Sequence, residues 1–229
     1  MQREYEKHGF FSFSRSRNRE LCCVKHGESE INTVCRVLNV SRKEIRTKEG
    51  DKKIIFRGII ADDTAKLPFV SWAEREELVK DTVVQIENAS VKRWKGLATL
   101  YIGKNTDVGV IEEVIGFPGY AELIKPKKRS IGEIVGCEGA FDVIVEGNMI
   151  SISAGATKRT QVLDDGTGAV FIELIDKEKE GRIYFGMPVK ARGNVVHAEK
   201  GYVLMAEEVK ISGEAFIITE MNNFLCRYT

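Results

Sequence analysis

The chain has 229 residues, of which 43% are hydrophobic and 30% charged, and its formal net charge is +1. This length suits two domains of about 100 residues, and the composition excludes a disordered chain. No apolar run approaches the ~18 residues that span a bilayer, and the small net charge neither favours nor excludes nucleic acid, because a binding groove needs only a local positive stripe.

Residues 1–29 are predicted to form a basic, flexible N-terminal arm. The run from Ser12 to Arg19 is basic and polar and has no helix or strand period. An arm that contacts a nucleic-acid backbone is the alternative interpretation. The arm lacks the apolar segment of a secretory signal, so a cytoplasmic, nucleoid-associated location is expected.

The five cysteines include no pair with the C-x-x-C spacing of a zinc knuckle. Reduced, mostly buried thiols are therefore expected, and no metal or cofactor is predicted. The adjacent pair Cys22 and Cys23 is flanked by His8 and His26, which leaves a metal site there as an alternative.

Residues 30–114 change to short β-branched and apolar runs separated by turn signals. Five strands are predicted here, over residues 31–40, 53–61, 67–72, 82–92 and 98–102. Residues 73–80 are predicted to form a short helical connector, and Lys95-Gly96 is predicted to be the turn of the last hairpin.

Residues 115–129 contain two prolines and a basic run and are predicted to be a linker. The same order of elements then recurs over residues 130–213, with strands predicted at 137–145, 150–162, 169–175, 189–197 and 202–210. A turn is predicted at 164–168 and a polar connector at 176–182. Aligning the two halves places Thr64 on Thr167, which indicates a duplicated unit. Residues 214–229 are predicted to pack on a barrel or on a partner.

Five strands with a connector between the third and fourth, and a tight last hairpin, are typical of a small closed barrel. The predicted fold class is therefore all-β, with two consecutive five-stranded OB-fold barrels and short connecting helices. In such a barrel the first loop, the face of strands 2 and 3, and the loop between strands 4 and 5 form the ligand groove.

Basic residues of the first barrel cluster in two loops that are expected to face each other across this groove, an arrangement that suits a phosphate backbone. They are Arg42, Lys43, Arg46, Lys48, Lys52 and Lys53 around the first loop, and Lys92, Arg93 and Lys95 at the last hairpin. If Leu67 and Phe69 fill the barrel, alternation places Trp72 in the groove. Trp72 and Trp94 are predicted to stack on unpaired bases; a solvated loop surface and a core tryptophan are the alternatives.

The second barrel offers fewer candidates. Its predicted first loop, residues 146–148, carries no cation. Val170, Ile172 and Leu174 are predicted to face the core, which leaves Phe171 and Glu173 outward. The candidate binding residues of this barrel are Lys158, Arg159, Phe171, His197, Lys200 and Tyr202. The first barrel is therefore expected to dominate binding.

The predicted elements contain six short segments on which a family resemblance rests. They are Val34-Cys35-Arg36-Val37, Ile60-Ala61-Asp62-Asp63-Thr64, Ser71-Trp72, Asn88-Ala89, Lys95-Gly96 and Leu163-Asp164-Asp165-Gly166-Thr167-Gly168. Over residues 31–211 the chain resembles the nucleic-acid-binding OB domains of replication protein A, and most closely the archaeal single-stranded DNA-binding proteins. The resemblance implies binding of single-stranded DNA in DNA replication, repair and recombination. It also implies that Trp72 stacks on a base, and that Trp94 supplies the second stacking aromatic.

Three features depart from that family. Ala65 stands where the family usually has glycine, the zinc motif of many archaeal members is absent, and Ile175 occupies the position of Trp72 in the second barrel. RNA or tRNA binding, and a protein-interaction subunit of a replication complex, are the alternatives.

No enzymatic activity is predicted, because the common nucleotide-binding, hydrolase and metalloprotease motifs are absent from the sequence. Asp62 and Asp63 are interpreted as residues that cap a turn. Single-stranded DNA is the expected partner, with other replication protein A subunits or repair proteins as further partners, and no membrane or small-molecule substrate is expected.

Overall fold

The computed structural model describes residues 18–46, 50–112, 116–153, 159–174, 185–199 and 201–212. The chain divides into two compact units: the first ends at Lys125, and the second runs from Pro126 and also includes Lys95–Leu97. Most of the N-terminal arm, the connector at 176–182, the C-terminal segment and the residues Lys48, Lys158, Ile175 and Lys200 lie outside the described residues. Among the described helices, none is long and apolar enough to cross a membrane.

The first unit is a closed five-stranded barrel with one added strand. Its strands are β1 (Ile31–Arg46), β2 (Lys52–Ala61), β3 (Lys66–Ser71), β4 (Val83–Trp94), β5 (Leu97–Ile102) and β6 (Asp107–Val110). They are ordered β1-β2-β3-β5-β4-β6, and β1 pairs with β4 as well as with β2, which closes the barrel. Since β3 and β5 are parallel, the order is that of an OB fold.

Alternating apolar residues fill the interior of this barrel. Leu67 and Phe69 are both buried in the core, as the sequence predicts, and Phe69 is 1% exposed. Burying a phenylalanine contributes about 1.5–3 kcal/mol to stability. The interior therefore fixes which face of each strand points outward.

The backbones of β1 and β2 approach closely beside an irregularity in their register. The irregularity lies between Val37 and Asn39 of β1, and the next pair along is Val40 with Gly58 of β2. A Cβ atom on Gly58 would lie 1.9 Å from the carbonyl oxygen of Asn39. Only glycine allows the two backbones to approach this closely.

The second unit repeats the architecture. Its elements are β7 (Lys127–Lys128), α2 (Ile131–Gly136), β8 (Ala140–Ser153), β9 (Arg159–Asp164), β10 (Ala169–Leu174), β11 (Pro188–Ala198) and β12 (Gly201–Ile211), and α1 (Tyr120–Leu123) precedes them in the first unit. The order β11-β12-β10-β9-β8-β7, with β11 also paired to β8, again closes five strands. β10 and β12 are parallel, as β3 and β5 are. Both predicted OB barrels are present.

Part of the predicted linker packs on the first barrel. Leu123 of α1 lies in one apolar cluster with Leu38 and Ala61, and the Tyr120 hydroxyl donates to the Leu38 carbonyl at 3.2 Å. The Arg36 side chain donates to the Pro118 carbonyl at 3.1 Å. The first half of this segment therefore belongs to the first unit.

The structure corrects five predicted elements. Residues 73–80 form bends and turns and contain no helix. Residues 146–148 lie inside β8, paired with β11, so they are not a loop. The predicted strand 150–162 is divided between β8 and β9, which pair antiparallel. β1 likewise extends to Arg46, because its first half pairs with β4 and its second half with β2.

The fifth correction is the start of the second unit, where α2 precedes the strand that the sequence predicts to begin at Cys137. Ser130 and Glu133 form a capping box at the N-terminus of α2, and Cys137 is its C-cap. The spacing S-x-x-E is a sequence signal for a helix start. Hydrogen bonds from Ser130 keep the pKa of Glu133 below its ordinary value.

The turn between the second and third strands holds a remote backbone segment in the first unit. Asp62 Oδ1 accepts from both the amide and the hydroxyl of Thr64, at 2.8 and 2.6 Å. Asp62 Oδ2 accepts from the Leu21 amide at 2.7 Å, and Thr64 Oγ1 accepts from the Cys22 amide at 3.1 Å. The local cap predicted for Asp62 is confirmed, and it also anchors a 3₁₀ turn over Leu21–Cys23.

The second unit has the same arrangement at the equivalent turn. Asp165 Oδ1 accepts from the amide and hydroxyl of Thr167, at 2.9 and 2.7 Å. Asp165 Oδ2 accepts from the Ile131 amide at 2.7 Å, and Thr167 Oγ1 accepts from the Gly132 amide at 2.9 Å. The predicted match of Thr64 with Thr167 is therefore a structural equivalence, and it supports duplication of the unit.

Candidate nucleic-acid interface

The outer face of β2, β3 and β5 carries the candidate site of the first barrel. In these neighbouring strands Arg57 is in register with Val70, and Val70 with Tyr101. Residues in register share a face of the sheet. Since Gly58, Phe69 and Leu100 are the adjacent inward positions, Arg57 and Tyr101 point outward.

Trp94 lies against Arg57 at the end of β4. The guanidinium carbon of Arg57 is 5.2 Å from the centre of the Trp94 ring. Such a cation–π pair contributes about 0.5–1 kcal/mol at an exposed site. Trp94 nevertheless remains 39% exposed, so Arg57 holds the ring while leaving part of it open to a ligand.

Lys92 and Tyr101 form a second pair on the same face. The Lys92 ammonium is 5.2 Å from the centre of the Tyr101 ring. Lys92 and Trp94 alternate with Arg93 along β4, so Arg93 lies on the opposite face of the strand and is half-buried. Of the three predicted cations at this hairpin, Lys92 lies on the aromatic face, Arg93 does not, and Lys95 is exposed at the turn itself.

Trp72 immediately follows β3 and is 49% exposed. Its amide donates to the Ile102 carbonyl at 3.4 Å, which ties it to the end of β5. Phe69 and the fully buried Ser71 point inward, so alternation directs Trp72 outward. The predicted exposure of Trp72 and Trp94 is therefore confirmed for both side chains.

The basic residues of the first hairpin divide between its two faces. Lys43 and Lys53 occupy register positions on the same face as Arg57. The positions of Arg42, Arg46 and Lys52 alternate with these and share the opposite face with Glu44. The ammonium of Lys52 is paired with the Glu44 carboxylate at 2.8 Å. Two of the five described cations of this hairpin therefore face the same way as the aromatic side chains.

In the second barrel, Phe171 has the outward position predicted for it. Its neighbours on β10, Val170 and Ile172, are 2% and 5% exposed and belong to the core. Glu173, the next outward residue, is exposed. This outer edge therefore pairs one half-buried aromatic side chain with an acidic residue.

His197 and Tyr202 are two further predicted residues of the second barrel that the structure describes. His197 and Tyr202 are in register with each other, and their rings meet edge to face at 5.2 Å between centres. Tyr202 packs against the core cluster. Phe171 is in register with Val203, which follows Tyr202 in β12 and therefore lies on the other face of that strand. Arg159 is the first residue of β9.

Carboxylates neutralise several cations of the second barrel. Glu146 contacts the ammonium of Lys128 and lies 3.0 Å from that of Lys190. Hydrogen bonds from these two lysines lower the pKa of Glu146. The Arg192 guanidinium is paired with Asp142 at 2.8 Å, which raises the pKa of the arginine.

Arg57 and Tyr101 are interface residues that the sequence analysis does not predict. A signal for Arg57 exists, since it is a cation in the middle of an otherwise apolar strand, two positions from Ile55 and Ile59. Its outward direction follows from alternation once Ile60 is assigned to the core. Tyr101 has the corresponding position in β5, between the buried residues Leu100 and Ile102.

No protein-family model matches the chain, and no curated protein matches it in sequence. One solved structure that resembles it is a replication factor A related protein from Methanobacterium thermoautotrophicum, with 21% sequence identity and a TM-score of 0.36. The match covers 43% of this chain and 94% of that chain. A replication protein A heterotrimer bound to single-stranded DNA has 15% identity, with 90% and 53% covered and a TM-score of 0.37.

A murine DNA-binding protein bound to double-stranded DNA has 14% identity, with 79% of this chain and 99% of that chain covered and a TM-score of 0.41. These solved structures are similar to this chain in fold.

Proposed function

We propose that the chain binds single-stranded DNA on the outer face of the first barrel, with unpaired bases stacked on Trp72 and Trp94. The observation that carries this proposal is the pairing of Arg57 with a Trp94 ring that stays 39% exposed. A ring that is held in place and still open is prepared for stacking before a ligand arrives, which lowers the ordering cost of binding.

The combination of aromatic and cationic groups favours an unpaired strand. Bases of a duplex present their edges in the grooves, whereas a base of a single strand presents its π-face to an aromatic side chain, at about 1–3 kcal/mol per base. Lys43, Lys53 and Lys92 lie on the side of their strands that Arg57 and Trp94 occupy. Their ammonium groups would neutralise phosphates along the strand and release counterions.

We further propose that this activity is binding without catalysis. Burial raises the pKa of the Cys35 thiol, and the nearby Asp62 carboxylate adds to the effect, so this thiol stays protonated and is a poor nucleophile. The Asp62 carboxylate is itself engaged by backbone amides at the turn. Protection of single-stranded DNA in replication, repair and recombination, together with other replication protein A subunits or repair proteins, is the role that the sequence resemblance suggests for such a protein.

The test uses the intrinsic fluorescence of the protein, because Trp72 and Trp94 are its two tryptophans. Titration with oligo-dT, oligo-U and duplex DNA over a salt series should show quenching by oligo-dT that weakens as salt increases. Trp94→Ala should weaken oligo-dT binding about 5- to 150-fold, as the loss of one stacked base predicts. Trp72→Ala should act in the same range, and binding of each variant is measured by anisotropy of a labelled oligonucleotide.

Phe171→Ala is the matched control in the second barrel and should change oligo-dT affinity less than either tryptophan variant. Stronger binding to oligo-U would assign the site to RNA instead. Absence of a response to all three nucleic acids at low salt would contradict nucleic-acid binding and favour a protein-interaction role.

A further inference from the structure

Three possible metal ligands lie together at the 3₁₀ turn that precedes β1. Within the described part of the chain, Glu20, Cys22 and Cys23 are the one group of three such side chains whose donor atoms all lie within 4.8 Å of one another. Glu20 and Cys23 are exposed and Cys22 is half-buried. The described cysteines form no disulfide bond.

The separations of these donor atoms suit a tetrahedral metal ion. The Sγ atoms of Cys22 and Cys23 are 3.6 Å apart, and Cys22 Sγ is 3.9 Å from Glu20 Oε2. Two thiolates at 2.3 Å from a tetrahedral Zn²⁺ are about 3.8 Å apart, and a thiolate and a carboxylate oxygen are about 3.5 Å apart. The three donors would therefore reach a common ion through small side-chain rotations.

The backbone that carries these donors is fixed to the first barrel. The amides of Leu21 and Cys22 donate to Asp62 and Thr64 of the turn between β2 and β3. The Arg19 guanidinium donates to the carbonyl of Cys23 at 2.8 Å. The ligands therefore belong to an anchored turn, and their ordering cost is largely met before a metal ion binds.

We propose that Glu20, Cys22 and Cys23 form a binding site for one Zn²⁺ ion. Two thiolates and one carboxylate supply three of the four positions of a tetrahedral site, and a water molecule completes it. Thiophilic d¹⁰ cations fit this donor set, whereas Mg²⁺ and Ca²⁺ require oxygen ligands. Binding displaces the two thiol protons into solution, because only thiolates coordinate the metal.

The experiment titrates the full chain, reduced and freed of metal by a chelator, with Co²⁺ and then with Zn²⁺. One Co²⁺ per chain should bind and produce thiolate-to-metal charge-transfer absorption, which an equivalent of Zn²⁺ should abolish. About two protons should be released per ion in a weakly buffered solution. The double variant Cys22→Ser/Cys23→Ser should lose the charge-transfer band.

Two further variants separate this site from other thiols. Glu20→Gln should retain the band and weaken affinity by about 10-fold or more, since the loss of even an indirect metal contact costs 10- to 100-fold. Cys137→Ser removes a half-buried thiol of the second unit and should leave the titration unchanged. A wild-type protein without the band, a band that survives in the double variant, or a band lost in Cys137→Ser would each overturn the proposal.

Discussion

The two barrels have one topology and one turn in common, but their outer faces differ. Asp62 and Thr64 hold the start of a 3₁₀ turn in the first unit as Asp165 and Thr167 hold the start of α2 in the second. The outer face of the first barrel has two half-exposed tryptophans, and Arg57 lies beside one of them, Trp94. The equivalent region of the second has Phe171 followed by Glu173.

This contrast separates what maintains the fold from what specifies binding. Inward residues and the Asp–Thr turn are under the same physical constraints in both units, because each must close five strands around a small core. Outward residues have no such constraint, so the two faces are free to differ in charge. On the first barrel Arg57 and Lys92 lie against aromatic rings, whereas in the second barrel Lys128, Lys190 and Arg192 are paired with carboxylates.

The largest loss of stability should come from replacing, in each barrel, the glycine at which two backbone segments lie closest together. In Gly58→Ala the new carbon would lie 1.9 Å from the Asn39 oxygen, and in Gly193→Ala 2.0 Å from the Met205 oxygen. Neither backbone can yield without opening strand pairs, so each variant should lose about 3 kcal/mol of unfolding free energy or more.

Urea unfolding followed by circular dichroism measures both variants. Gly119→Ala is the control, because a Cβ atom there meets no atom within 4 Å. If Gly58→Ala and Gly193→Ala unfold at the wild-type midpoint, closure of the barrels does not depend on these glycines, and the proposed common constraint is wrong.

Removing the aspartate of the Asp–Thr turn, Asp62 in the first barrel or Asp165 in the second, should cause the next largest loss of stability. Asp62→Ala removes the acceptor of four hydrogen bonds from a buried position, which should cost about 2 kcal/mol. Asp165→Ala removes the equivalent bonds from a half-buried position and should cost about 1 kcal/mol.

Asp63→Ala, an exposed neighbour of Asp62, serves as the control in the same urea experiment and should be close to neutral. A loss in Asp63→Ala equal to that in Asp62→Ala would show that net charge at the turn, and not the bonds to the 3₁₀ turn, stabilises the barrel.

Alternation of apolar residues predicts the barrels well because each strand has one face in a core. It assigns Leu67, Phe69, Val170 and Ile172 to the interior, as found. It misplaces the end of β1 and the middle of β8 because these long strands pair with different neighbours along their length. Their polar segments are extended through hydrogen bonds to a partner strand, and no local pattern reveals that partner.

The candidate site is predictable only in part. The exposure of Trp72 follows from alternation beyond β3, and that of Trp94 from its position at a turn. The division of the hairpin cations depends on register, which places Lys43 and Lys53 on one face and Lys52 on the other. A shift by one residue reverses every such assignment, and the sequence alone does not fix the register.

That division gives the third prediction, a difference between two adjacent lysines. Lys53→Ala should lower oligo-dT affinity severalfold and reduce the slope of log affinity against log salt by about 0.7, as the loss of one phosphate contact predicts. Lys52→Ala, on the opposite face and paired with Glu44, should change the slope less. Equal slopes in the two variants would mean that both faces of the hairpin contact the strand.

The smallest effect should be a dependence of second-barrel stability on pH through Glu146. Its pKa is lowered in the folded state by Lys128 and Lys190. The stabilisation it provides should therefore be present above its unfolded pKa of about 4.3, and lost as the pH falls through the folded pKa. Both lysines are about half exposed or more, so the contribution should stay below about 1 kcal/mol.

Comparison of the wild type with Glu146→Gln by urea unfolding tests this sign. The wild type should be the more stable protein at neutral pH, and the difference should shrink as the pH falls through the folded pKa of Glu146, below which the carboxyl group is protonated in both states. Glu44→Gln in the first barrel removes an ion pair whose two side chains are 64% and 57% exposed, so it should show a smaller difference at neutral pH. If the stability difference between the wild type and Glu146→Gln persists unchanged in acid, the effect of the substitution comes from packing or from neutral hydrogen bonds. Of the ion pairs described above for the second barrel, only that of Asp142 with Arg192 would then support the electrostatic contrast between the barrels.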